Sequence, residues 1–314
     1  MFNWFDNQDV IKKVQFGIGF ISLLIAIIIS LSIWKIFSIN TISSQVVELR
    51  IPTSQNSLKM LNGVNHSLAA LRGWMILGQE KFKDEREYAW KNEIIPSLNQ
   101  MSLLLQNWTN PENVKRLSRI TASLEKFKGY QKEIESIAFS IDNLPANKIF
   151  LLQAVPASSQ MLNALTIMID AELALPSTSK RKHLLGVMVN LRASTVKSLA
   201  LIRADLFHDD KKIRTNYAHN WIQNSKSVDS LFEMQSFLSL KQKRSFENFL
   251  SVRDTFIPLV SQMFTIRSSE KWNLANYWLA TKAAPMGFKI KDDLEFIVNN
   301  QEHLQKKILK NHKI

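Results

Sequence analysis

The sequence predicts an all-α protein, with an N-terminal membrane-crossing helix followed by two up-down four-helix modules. Three observations predict it. Turn formers are scarce: eight glycines and eight prolines stand among 314 residues, about 5% against roughly 12% in average usage. One long uncharged apolar run lies near the N-terminus. Elsewhere, apolar residues recur at spacings of three and four, the period of helix packing. A hydrophobic share of 46% and a charged share of 21% mark a folded chain rather than a disordered one. The length leaves room for two domains. The chain has no cysteine, which excludes disulfides, iron–sulfur clusters, thiolate-bound zinc and covalently attached haem.

The first element is the anchor. Phe16 to Trp34 is uncharged and would span about 28 Å as a helix, close to the ~30 Å hydrocarbon core of a bilayer. Lys12 and Lys13 precede the run, Lys35 follows it, and Trp34 stands where an interfacial aromatic belongs. A cleaved signal would be shorter and end in a small-residue site, which Ile33-Trp34-Lys35-Ile36-Phe37 does not offer. The transmembrane helix is therefore expected over residues 14–37. Lys12 and Lys13 keep residues 1–13 in the cytoplasm by the positive-inside rule. Residues 38–314 are then extracytoplasmic, periplasmic in a Gram-negative host, on a single-pass inner (cytoplasmic) membrane protein.

The helices that follow are long. Leu117, Ile120, Leu124, Phe127, Gln131, Ile134, Ala138 and Ile141 form one seam. Phe246, Phe249, Val252, Phe256, Leu259, Met263 and Ile266 form another, and Leu58, Leu61, Val64, Leu68, Leu71 and Met75 a third. Breaks are expected at Gly78-Gln79, Asn110-Pro111, Asp142–Pro145, Pro176–Ser179, Asp209-Asp210 and Ser268–Glu270. A duplication is also visible. Ser67-Leu68-Ala69-Ala70-Leu71-Arg72 aligns with Ser198-Leu199-Ala200-Leu201-Ile202-Arg203, and the same offset carries Trp90 onto Trp221. Ala154-Val155-Pro156 aligns with Ala283-Ala284-Pro285 at nearly that offset. The expected modules are residues 38–176 and 177–314.

With the repeat laid out, the chain resembles the extracytoplasmic sensing regions of bacterial methyl-accepting chemotaxis proteins that carry tandem or bimodular four-helix bundles. The resemblance rests on Leu71-Arg72-Gly73-Trp74-Met75-Ile76-Leu77-Gly78, Glu85-Arg86 with Trp90, Trp108-Thr109-Asn110-Pro111-Glu112-Asn113 and Met168-Ile169-Asp170-Ala171-Glu172. Its strongest block is Met263-Phe264-Thr265-Ile266-Arg267 with Trp272-Asn273-Leu274-Ala275-Asn276 and Ala283-Ala284-Pro285. It implies a signal-transduction role, recognition of a small molecule and a homodimer. Such receptors continue into a second membrane helix, a coupling domain and a cytoplasmic signalling hairpin. This sequence stops at Ile314, about where that second helix is expected.

The residues themselves point to ligand binding rather than catalysis, and no enzyme is expected. Neither HxxxH nor HExxH occurs, and no GxGxxG, GxxxxGK[ST] or GxSxG is present. The one carboxylate–histidine pair, Asp205 with His208, lacks the four carboxylates of a di-iron bundle. No metal site and no cofactor is expected. A carboxylate ligand would need a fixed cation, and arginine offers a bidentate fork. Arg72, beside Trp74, follows an apolar helical stretch, and Arg203 is its repeat counterpart. Arg192 lies about three turns before Arg203, and Arg267 stands near Trp272 and Asn273. These seven residues are the candidate ligand contacts, for a small organic acid. For any single arginine the stronger competing reading is a stem lying along the surface with its head in water.

The formal charge of +13 raises nucleic acid as a partner. Interleaved runs such as Glu80-Lys81-Phe82-Lys83-Asp84-Glu85-Arg86 read instead as solvated helix faces, so none is expected. The tail, with Lys306, Lys307, Lys310 and Lys313 beside Leu304, Ile308 and Leu309, suits contact with the lipid bilayer. Two other readings stay open: a sensor for a histidine kinase or nucleotide cyclase, and a membrane-tethered structural coiled-coil adaptor.

Overall fold

The computed structural model describes residues 9–311, and every element among them is helical. In chain order the α-helices are α1 (Val10–Ser43), α2 (Ile51–Leu77), α3 (Lys81–Tyr88), α4 (Ile95–Leu104), α5 (Pro111–Ile137), α6 (Pro145–Ile149), α7 (Val155–Leu173), α8 (Ser179–His208), α9 (Lys211–Glu233), α10 (Leu240–Arg267), α11 (Leu274–Trp278) and α12 (Ala284–Asn311). Lys313 and Ile314 of the tail, with residues 1–8 of the N-terminal segment, lie outside the described residues.

Each of the six breaks expected from sequence falls at a helix end. Their chemistry is local. Gly78 and Asp209 adopt left-handed backbone, with φ of 63° and 51°. Thr178, Asp210 and Asn273 cap the helices that follow with their side-chain oxygens. A further break, at Met234 to Ser239, was not anticipated. Its signal is Ser239 with Gln242, whose side chains bond reciprocally to each other's backbone N–H as a capping box.

Four widened turns interrupt otherwise continuous helix: Ser44–Arg50, Ala89–Ile94, Phe150–Ala154 and Leu279–Ala283. In each case the second residue beyond the turn is a proline, namely Pro52, Pro96, Pro156 and Pro285. A proline inside a helix lacks the N–H for the carbonyl four residues back, and its ring collides with that carbonyl. Widening the preceding turn by one residue relieves the collision without ending the helix. Pro258 inside α10 has no such turn, so the device is common here but not obligatory.

The element order repeats. The short helical turns Ile141–Asn143 and Glu270–Trp272, α6 and α11, the widened turns Phe150–Ala154 and Leu279–Ala283, and the starts of α7 and α12 are each 129 residues apart.

The chain forms two compact units. One comprises residues up to 74, 79–128 and 284 onward; the other comprises 75–78 and 129–283. These are not the consecutive stretches 38–176 and 177–314 expected from sequence. α7, within the first repeat, belongs to the second unit, and α12, within the second repeat, belongs to the first. The cause is visible for α7: its Met161, Leu165 and Met168 are fully buried in one core with residues of α8, α9 and α10, each side chain contributing about 1.5–3 kcal/mol. Gln242 Nε2 on α10 also donates to Met168 O at 3.1 Å, and Arg181 on α8 pairs with the buried Glu172 at 2.9 Å.

In the first unit, Met60, Val64, Leu71, Ile94, Met101, Ile120, Phe127, Ile290, Leu294 and Ile297 are buried. Arg116 and Arg119 of α5 reach Asp293 of α12 at 2.7 and 2.9 Å. The α5 seam is buried from Leu117 to Ala138, while Ile141, past the helix end, is exposed. The middle of the α2 seam, Val64, Leu68 and Leu71, is buried as expected, while its ends depart: Leu58 is exposed, Leu61 and Met75 are half-buried, and Met60 and Trp74 are buried. Thr53, Ser57 and Ser67 also occupy core positions and donate their hydroxyl protons to the helix's own carbonyls.

By length and composition, two described helices suffice to cross a membrane. They are the continuous helix Val10–Leu77, whose most apolar window has a mean hydropathy of 2.6 and no buried residue, and α8, with a window of 1.3 that is one-third buried. The sequence reading had counted only the first.

Candidate functional site

A groove with polar groups among apolar walls lies in the second unit, along α8. Its volume is about 910 Å³, within the range of ordinary ligand sites. One wall is Asn147 of α6, then Phe150, Leu151 and Val155 from the widened turn and the start of α7. The other wall is Val196, Leu199, Ala200, Arg203, Ala204, Leu206, Phe207 and His208 on the C-terminal half of α8. Three polar side chains, Asn147, Arg203 and His208, therefore stand among nine apolar residues.

Both walls are fixed by contacts behind them. Asn143 holds the approach to α6, donating through Nδ2 to Ala138 O at 2.7 Å and accepting from Ala275 N at 2.8 Å. The end of α8 is held by Asp205, which is completely buried and accepts from Arg214 Nε at 2.8 Å. Arg214 also bonds Asp209 and Ser268. Arg267 Nε donates to the carbonyl of Leu206 at 2.9 Å, so a groove-lining residue is tied to the end of α10. Helix-borne walls supported in this way hold a side chain more precisely than a free loop does.

The expected contact residues are only partly brought together. Arg203 lines the groove and is exposed. Arg192 is exposed on the same helix but does not line it. Arg267 stacks on the Trp272 ring, 4.5 Å from its centroid, and touches the groove only through Leu206. Asn273 is engaged as a helix cap, accepting from Asn276 N at 2.9 Å. Arg72 and Trp74 belong to the other unit. Arg72 is exposed; Trp74 is buried beneath Lys83, whose Nζ lies 4.0 Å from the ring centroid.

Two other polar features were not anticipated. A cleft of about 340 Å³ between α8 and α9 is lined by Asn190, Ser194, Gln223, Lys226, Ser227 and Ser230 above Val187. Behind it, Asn220 and Asn224 bond Ser194, Thr195 and Ser198 in the helix interface, and Arg253 Nε donates to Asn224 Oδ1 at 3.2 Å. In the first unit, Arg50 is only 4% exposed. It donates to the neutral acceptors Gln301 Oε1 and Thr109 Oγ1, both at 3.1 Å. Burial holds its pKa below the usual arginine value.

No family model matches the chain, and no curated protein matches it.

Proposed function

We propose that the chain is a membrane-anchored ligand-sensing domain of the chemoreceptor type, taking a small organic anion in the α8 groove. The observation that carries the reading is that groove: Arg203, on a continuous helix, stands among the residues that line a large apolar concavity. An arginine so placed supplies charge and geometry for a carboxylate, and the apolar wall supplies burial.

The rest of the reading follows from that site and the element order. Each unit is proposed as a four-helix bundle, α7 to α10 in the second and α2, α3–α4, α5 and α12 in the first. Residues 14–37 of α1 are the proposed transmembrane anchor, with residues 1–13 cytoplasmic and 38–314 extracytoplasmic. A ligand shifts a conformational equilibrium only by its differential affinity for two states. The contact of Arg267 with Leu206 supports a route for that difference, because Arg267 ends α10 and stacks on Trp272 at the start of the stretch leading to α12. A homodimer is proposed, as the resemblance implies.

The test is thermal unfolding of the full chain in lipid nanodiscs, against a panel of organic acids. A ligand at 100 times its Kd raises apparent stability by about 2.7 kcal/mol. The reading predicts such a rise for at least one acid, diminished in Arg203→Ala. No rise with any acid would contradict it and favour a structural adaptor.

A further inference from the structure

The first unit has a basic rim where α1 enters it. Every residue from Val14 to Phe37 is exposed, while Ile42, Val46 and Leu49 further along the same continuous helix are buried. α12 packs against the widened turn Ser44–Arg50 and runs antiparallel to it. Arg50 Nη1 meets Gln301 Oε1 at 3.1 Å, whereas a Cβ on Gly287 would lie 3.9 Å from Leu68 Cδ2. Depth can be counted from the Arg50–Gln301 layer at 1.5 Å per residue. Phe37 lies about 20 Å down α1, Lys310 about 14 Å down α12, and Lys306 and Lys307 about 8–9 Å down. Lys310 therefore stands about 6 Å above the end of the proposed span, inside a headgroup layer about 5–8 Å deep. Lys306 and Lys307 follow within about one Debye length of that layer.

The charges are sorted by depth. The three lysines are exposed, and among the described residues none of them has a carboxylate partner. From His303 to Asn311, and from Val10 to Val47, the chain holds no Asp or Glu. Glu48 and Glu302 stand above the lysines, and Glu48 accepts from Ser44 Oγ at 2.9 Å.

Resting on the membrane-anchor reading above, we propose that this rim docks on anionic phospholipid headgroups, with Lys306, Lys307 and Lys310 meeting their phosphates. A dissolved phosphate fits worse. An exposed helix face does not take a small ion out of water, whereas a headgroup layer brings many phosphates to fixed cations at once. A second copy of the chain fits worse too. Meeting this face across a two-fold axis, it would set the lysines against their own image.

The test is hydrogen–deuterium exchange on the full chain in two kinds of nanodisc, phosphatidylcholine alone and an equal mixture with phosphatidylglycerol. Exchange in residues 302–311 should be slower in the mixture, by about fivefold for each lysine that engages. High salt should reverse the slowing, because it screens exposed charges. The triple variant Lys306→Gln, Lys307→Gln, Lys310→Gln should abolish it. Lys289→Gln, exposed on the same helix but about 26 Å further from the bilayer than Lys306, should keep it. Equal exchange in the two lipids, with residues 14–37 protected in both, would overturn the docking surface and leave the anchor standing. Slowing that survives in the triple variant would overturn it as well, since other cations would then hold the lipid. The same slowing produced by inorganic phosphate over phosphatidylcholine alone would give the lysines to a soluble anion and overturn it. Residues 14–37 exchanging freely in nanodiscs would remove both this assignment and the anchor reading beneath it.

Discussion

Arg50 is a guanidinium buried against neutral oxygens, with its Nε and the nearby Gln301 Nε2 lacking acceptors among the described residues. Burying a cation without a carboxylate is unfavourable, and removing one of its few acceptors makes it worse. Gln301→Leu should therefore destabilise the full chain by about 2–3 kcal/mol. Adding Arg50→Met removes the stranded charge along with its orphan donors. The double variant should recover most of the loss in a denaturant titration. Tyr217 makes the residue-scale case for pH. It lies between the Trp221 and Phe264 rings at centroid distances of 5.8 and 5.3 Å, and burial raises its pKa, against a smaller lowering by Arg253. The folded state thus resists ionising a phenol that ionises near pH 10 when unfolded. Its contribution is complete below that pH and is lost as pH rises toward the folded value. Thermal melts from pH 8 to 11 should show the wild type losing more stability at the alkaline end than Tyr217→Phe.

At the scale of elements, close approach and widened turns carry the argument. A Cβ on Gly63 would stand 2.8 Å from both Glu93 Cβ and Ile94 Cγ1, so α2 lies tightly on the turn Ala89–Ile94. Gly63→Val should destabilise by about 1–3 kcal/mol through overpacking, read from the same denaturant curves. Pro156 explains the turn that presents Phe150 and Leu151 to the groove. Pro156→Ala restores a backbone donor and removes the reason for widening, so stability should hold or rise while affinity for the organic acid that stabilises the wild type most falls. Equal affinity in that variant would separate the turn from the site. Much of this level was legible in the sequence. Gly78, Pro111, Pro145, Ser179 and Asp210 marked helix ends because each acts on its own backbone. The Ser239 boundary was missed because a capping box is two ordinary residues. The duplication was legible from Trp90, Trp221 and the paired prolines. The exchange of fourth helices was not, since seams of Leu, Ile and Met accept any similar partner. Arg203 could be singled out for its place beside apolar residues. Its opposite wall could not, because Phe150 and Leu151 lie some fifty residues away and gain meaning only through packing.

For the whole molecule, the unit boundaries make a prediction that consecutive halves do not. Residues 129–283 form a contiguous stretch with its own core, whereas 38–176 has α7 without the helices that bury it. Expressed alone, 129–283 should unfold in one cooperative transition with high helicity, and 38–176 should not. The central claim is that the groove on α8 is where this chain meets its ligand. Hydrogen–deuterium exchange on the full chain in nanodiscs, with and without the organic acid that raises its melting temperature most, tests it most directly. The account predicts slower exchange in residues 147–155 and 196–208, and no change around Arg72. Protection confined to residues 64–77 or to the polar cleft at 223–230, with none along the groove, would contradict it.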